Sequence, residues 1–205
     1  MLTFAEFLGD AASKREFVNV LFEERLFALI GTLQKLSLLL DHTGIPHKLV
    51  GGLDVFLHVE NADSTHSSLT RDIDIMIRRD DLPRVVSIAE QFGFRYRHSA
   101  GLDMLLYGES NSARNAVHLL FAGERVKQTQ LEAHPAIRPV RAGLHGQDFL
   151  VVPVVALVSM KLSSCRDKDR LHVRGMDAAG LISKEVEHGL SEDMQSRLRH
   201  IRDTE

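Results

Sequence analysis

The stretch LTRDIDIMIRR, residues 69–79, decides how this chain is read. Ile73, Ile75 and Ile77 alternate with Asp72, Asp74 and Met76, which is the period-two pattern of a strand. Alternation puts Asp72 and Asp74 on one face and the isoleucines on the other. Burying an unpaired carboxylate is expensive. Two carboxylates side by side repel each other; both stay ionised only if a cation neutralises them, and otherwise the pKa of one rises. Arg71, Arg78 and Arg79 are near enough in sequence to serve as ordinary ion-pair partners. The alternative is a metal. Mg2+ takes hard oxygen ligands and keeps positions open for phosphate oxygens.

Upstream, KLVGGLDVFLHVE, residues 48–60, reads as a short strand, the glycine pair Gly51 and Gly52, and a helix from about Leu53. Glycines let a backbone approach a ligand closely. The helix start turns free amides and the positive end of its dipole to the same place. A tight turn has the same spelling. Glycine turn and paired carboxylates together, if their strands are neighbours, describe a site where a metal bridges a triphosphate to Asp72 and Asp74, the layout of metal-assisted nucleotidyl or phosphoryl transfer.

Working outward, REFVNVLFEERLFALIGTLQKLSLLLDH, residues 15–42, repeats its apolar residues at helical spacing and ends before Gly44 and Pro46. NADSTHSSL reads as a polar loop. RDDLPRVVSIAEQFGF reads as a helix, with Pro83 in its first turn and Gly93 at its stop. FRYRH, DMLLYG and NAVHLLFAG read as three strands, the first two joined by a hairpin at Ser99 to Gly101. Residues 124–145 are poorly patterned, QDFLVVP reads as a last strand, and from Val154 the pattern is helical, with Ser183 and Ser191 as N-caps. The order predicts an α+β domain: a mixed sheet flanked by helices, with a long N-terminal helix and a C-terminal helical tail.

Composition sets bounds. A chain of 205 residues, 44% hydrophobic and 26% charged, can bury a core without staples. A net charge of −3 gives no global pull toward nucleic acid. The single cysteine, Cys165, excludes an internal disulfide and fits a reducing, cytoplasmic setting. No signal peptide is visible at the start, and the longest apolar run, FLVVPVVALVSM, is too short to span a bilayer. In MKLSSCRDKDRLHVRGMD, read as one basic helix, mixed signs match a solvated face. Lys161 stands out there as a cation in an apolar turn, suited to a triphosphate or to the paired carboxylates. Met160 and Leu162 read as core, Lys168 and Asp169 as structural partners.

LVGGLDVFLH followed by TRDIDIMI resembles the signature of the nucleotidyltransferase superfamily with the DNA polymerase beta-like fold, and within it the small bacterial nucleotidyltransferase-like proteins of toxin–antitoxin and abortive-infection systems. VHLLFAGERV and VVPVVALVSMKLSSCRDKDRLHVRGMDAAGLI are similar to that group too, so the resemblance covers roughly residues 45–182. The chain is read in three parts: an N-terminal helical segment (1–44), a nucleotidyltransferase-like α/β core (45–152) and a helical region packed on it (153–205). The resemblance implies site residues as well. It implies Gly51 and Gly52 as phosphate contacts, Asp72 and Asp74 as ligands of Mg2+ or Mn2+, and Lys161 reaching the nucleotide. The family often places a third carboxylate on a later strand; here that slot holds His118, as metal ligand or base. The implied activity moves a nucleoside monophosphate from an NTP to an acceptor, whether a tRNA end, a protein hydroxyl or a small molecule. The competing expectation is a protein that binds nucleotide or a partner without turnover. A cognate antitoxin or a second copy of the chain are the implied protein partners, and no membrane is.

Overall fold

The computed structural model describes residues 24–68, 70–108, 116–137, 140–144 and 147–204. Its centre is a mixed seven-stranded sheet in the order β3-β4-β5-β2-β1-β7-β6. Helix α1 (24–42) leads to β1 (Lys48–Val50), α2 (Gly51–Asp63), β2 (Ile73–Ile77), α3 (Leu82–Gln91), β3 (Phe94–Ser99), β4 (Leu102–Tyr107) and β5 (Val117–Phe121). Then come β6 (Val140–Leu144), β7 (Gln147–Val151), α4 (Val154–Ser164), α5 (Asp167–Ala178), α6 (Lys184–His188) and α7 (Glu192–Asp203). β2 lies between antiparallel β1 and parallel β5, so Val50, Asp74 and His118 stand in one row across three strands.

Burial fixes that register. Ile73, Ile75 and Ile77 are fully buried in one cluster with Leu33, Leu36 and Leu40 of α1 and Val85 and Ala89 of α3. Each contributes about 1.5–3 kcal/mol relative to exposure. A slip of one residue would exchange them for Asp72 and Asp74 in that apolar layer. On the opposite face Val50, Met76 and Val152 pack against Leu157, Val158 and Leu162 of α4, Val173 and Met176 of α5, and Met194 and Leu198 of α7. Helix α2 serves both clusters, Leu53 and Leu57 in the first, Val55 and Val59 in the second.

The sequence reading and the structure differ at three places, and one expectation falls partly outside the described residues. The helix expected over 15–42 is described from residue 24, and its earlier part lies outside the described residues. The expected polar loop NADSTHSSL begins as helix: α2 runs to Asp63 and a 3-10 turn follows at Ser64–His66. β6 was hidden in the unpatterned stretch, because Val-Arg-Ala-Gly-Leu alternates poorly and lies at the sheet edge. The single basic helix is two, broken where Cys165 turns left-handed at φ 47°. The hairpin at Ser99–Gly101 is as expected, with Ala100 and Gly101 both at positive φ. Among the described residues no helix is long and apolar enough to cross a membrane.

Candidate active site

A cleft of about 280 Å3 opens on the α4–α5 face of the sheet, and Gly51, Asp72, Asp74, His118, Lys161 and Lys168 line it. Five of the six sequence candidates therefore meet. Gly52 is not among its lining residues: it sits behind Gly51, where an added Cβ would come to 2.5 Å from Thr70 Oγ1 and 3.5 Å from His172 Cε1.

Gly51 opens α2 at φ 81°, a conformation that side chains resist, and a Cβ there would overlap the carboxylate of Asp74. The glycine is thus required by the aspartate across the strand pair, before any ligand is considered. Asp74 projects from β2 into the cleft with Oδ1 at 3.1 Å from His118 Nδ1 and Oδ2 toward Gly51. Burial, the largest influence on its carboxyl, pushes the pKa up. The hydrogen bond and charge of His118, with the charges of Lys161 and Lys168, outweigh it, and Asp74 sits below the usual carboxylate value. His118 is shifted up, first by that hydrogen bond and then, against its burial, by the charges of Asp74 and Asp72. Asp72 precedes β2 by one residue, and its Oδ2 lies 3.7 Å from Lys168 Nζ.

Lys161 leaves α4 nearly buried, at 5% exposure, with Nζ 3.5 Å from Asp169 Oδ1. Burial pulls its pKa down, and the carboxylates of Asp169 and Asp74 pull it back up in part. Asp169 itself is wholly buried at the start of α5, yet its carboxyl falls to about 2. Burial, the largest influence, opposes that fall; the hydrogen bonds of Arg166 and Ser164 and the charge of Lys161 outweigh it. The left-handed turn at Cys165 is what swings α5 back so that Arg166, Lys168 and Asp169 line the cleft. Lys168, read from sequence as structural, points at Asp72, and Met160, read as core, packs against the second cluster and also lines the cleft.

Two further features escaped the sequence reading. Asp54, in the first turn of α2, is fully buried, with His58 Nε2 3.3 Å from its Oδ1 as its ion-pair partner. Burial pushes its carboxyl up, against the opposing pull of His58, Val152 and Lys161. An acid inside the apolar run GGLDVFLHV was the available signal. His134 and Gln130 also line the cleft, from the segment without a pattern to reveal them.

The donor set suits a hard divalent cation. Asp72 and Asp74 offer carboxylate oxygens, and among the described residues no group of three or more His, Cys, Asp or Glu side chains gathers at metal-holding geometry. A cation there would complete its shell with phosphate oxygens and water, which is the habit of Mg2+.

No family model matches the sequence, and no curated protein does. Solved structures do. The solution structure of the antibiotic-resistance factor ANT(2'')-Ia matches at 13% identity and TM-score 0.53, over 85% of this chain and 90% of that one. The crystal structure of ANT(2'')-Ia with adenylyl-2''-tobramycin matches at 12% identity and TM-score 0.55, over 85% and 97%. An antigenic nucleotidyltransferase-like protein from Paracoccidioides brasiliensis matches at 15% identity and TM-score 0.56, over 85% and 87%. At these identities the likeness is one of fold, and the fold of this chain is that of the nucleotidyltransferases.

Proposed function

We propose that the protein transfers a nucleoside monophosphate from an NTP to an acceptor hydroxyl, with Mg2+ or Mn2+ held by Asp72 and Asp74. The observation that carries this reading is the packing of Asp74 against Gly51 in one cleft with Asp72, His118, Lys161 and Lys168: acids for a cation and cations for phosphates, around one glycine turn. The bound metal would supply charge neutralisation of the phosphates and a fixed geometry for displacement. Lys161 and Lys168 draw the phosphates in. Asp74 Oδ1 holds the His118 ring through Nδ1, which leaves Nε2 to take the proton of the acceptor hydroxyl. The acceptor oxygen forms a bond to the α-phosphorus, the bond from that phosphorus to the bridging oxygen breaks, and pyrophosphate leaves. A solved structural neighbour holds adenylyl-2''-tobramycin, so a small-molecule hydroxyl is the first acceptor class to try, before a tRNA end or a protein hydroxyl.

A second reading is binding without turnover. It is favoured by His118 standing where a third carboxylate was expected, its imidazole engaged with Asp74 and its pKa raised. One experiment separates the two. The protein is melted with Mg2+ and each NTP, then incubated with labelled NTPs and small-molecule, tRNA or cell-extract acceptors. Transfer supports the enzyme; a thermal shift without transfer supports binding alone. Transfer that survives Asp72→Asn with Asp74→Asn would sink the metal assignment.

A further inference from the structure

The cleft lining has two unlike parts. One gathers Asp72, Asp74, Lys161 and Lys168. The other is walled by Leu102, Leu120, Val126 and Met160, and Val126 is 46% exposed, an apolar surface open to solvent. Polar side chains from residues 127–134 edge the apolar part: Lys127, Thr129, Gln130 at 9% exposure and His134 at 7%.

The remaining hydrogen-bonding capacity of the last two is fixed by what they already do. Gln130 Oε1 accepts from the backbone amides of Val126, at 2.7 Å, and Lys127, at 3.0 Å. Two N–H donors can meet only the oxygen, so the amide orientation is settled and the Nε2 group is left as a donor. His134 Nδ1 donates to the carbonyl of Phe121 at 3.2 Å, which assigns the tautomer and leaves Nε2 as an acceptor in a ring that burial keeps neutral. Neither group has a partner among the described residues. Both sit in a segment that is held, not loose. His134 N donates to Glu124 O, Gly123 N donates to His134 O, and Glu132 N donates to Ser163 Oγ on α4.

An apolar slot with one fixed acceptor and one fixed donor at its edge, in the same cleft as the charges that would gather phosphates, fits a flat heterocycle that carries both kinds of group. We infer that His134 and Gln130 read the base edge of the bound nucleotide, with Val126, Leu120 and Met160 covering its faces, and so set which NTP the protein takes. This rests on the nucleotide reading above and adds to it the residues that choose among nucleotides.

Two substitutions separate recognition from folding. His134→Asn keeps a donor where Nδ1 was, and with it the bond to Phe121, but removes the Nε2 acceptor. Gln130→Glu keeps the oxygen that ties Val126 and Lys127 but replaces the donor by an acceptor. Calorimetric titration of the full chain with Mg2+ and ATP, GTP, CTP, UTP or inorganic tripolyphosphate reads the result. The wild type is expected to bind at least one NTP more tightly than tripolyphosphate. His134→Asn should weaken that NTP about three- to tenfold, the worth of one hydrogen bond, and leave tripolyphosphate unchanged. Gln130→Glu should change the rank order of the four nucleotides. Unchanged rank order in both variants, or an equal loss across all five ligands, overturns the inference while leaving the phosphate site standing. Tripolyphosphate bound as tightly as every NTP by the wild type does the same. If the wild type binds none of the five, the nucleotide reading falls with it.

Discussion

The two faces of β2 are built on opposite terms. On one, Ile73, Ile75 and Ile77 meet the leucines of α1 and the small residues of α3, and the carboxylates at the rim are matched: Asp81 by Arg78, Asp103 by Tyr96, His98 and Arg79. On the other, Asp74 shares its side with Met76, and beyond them Asp54, Lys161, Asp169 and His172 are buried within a few helical turns of one another. One of these is short of a partner: Nδ1 of His172 makes no hydrogen bond among the described residues. A core that only had to be stable would resemble the first face, since a buried ionisable group without a partner costs more than an apolar one of the same shape. The second face carries that cost beside the cleft, where a polyphosphate would supply counter-charge to Lys161 and Lys168. The first face holds the strand still; the second uses the side chains that the strand presents.

Substitutions on the two sides of this one strand should therefore fail in different ways. Asp74→Asn keeps the volume and removes the charge. It should lower nucleotidyl transfer by about a thousandfold, several kcal/mol of lost metal and phosphate stabilisation. The melting temperature should change little, as read by labelled-NTP turnover beside a thermal melt. One residue further along, Ile75→Ala hollows the apolar layer. It should cost about 3 kcal/mol of stability in urea denaturation while the folded fraction keeps its nucleotide affinity. A variant of Ile75 that loses nucleotide binding without losing stability would break the division.

Acid should find the second face first. Burial, and then the charge of Lys161, lower His172 to about 4 from its ordinary 6.5. Between those values the unfolded chain binds the proton and the folded chain does not, so stability rises with pH through that window and falls on acidification. From pH 7 to pH 4.5 the loss from this one group is about 2 kcal/mol. Asp169, held at about 2, contributes stability above its ordinary 3.8 and loses it only below that value, so its contribution is separable. His172→Asn should flatten the profile between pH 6.5 and pH 4.5 in a series of urea melts. An unchanged slope would place the acid sensitivity elsewhere.

The legible parts of the molecule were those with strong periodicity or spelled-out turns. The alternation of Ile73, Ile75 and Ile77, the glycine at the α2 entry, Pro83 and the Gly93 stop all lie where sequence put them. Gly51 shows the limit: its position was readable, but its reason was not. Only the strand register reveals that Asp74 occupies the space a Cβ would need. The break at Cys165 was hidden because neither Gly nor Pro marks it, and with it went the direction in which Lys168 points. His134 and Gln130 could not be seen at all from spacing. Their placement depends on backbone bonds from residues 123–134 to one another and to Ser163 on α4, which no local pattern encodes.

Lys168 offers the finest cut between the two faces' demands. Its side chain is 52% exposed and its Nζ stands 3.7 Å from Asp72, a separation at which a solvated ion pair adds at most about 0.5 kcal/mol to stability. Lys168→Gln should therefore melt within error of the wild type. If the lysine serves the fold, nothing else should change. If it serves the nucleotide, KM for the NTP should rise about tenfold, as one phosphate contact is lost, with kcat nearly constant because the contact exists before and after the displacement alike. The effect should shrink as salt rises, since the site mouth is open to screening. A drop in kcat with KM unchanged would instead put Lys168 at the leaving pyrophosphate, where charge builds only as the bond breaks, and would move it from gathering the substrate to stabilising the transition state.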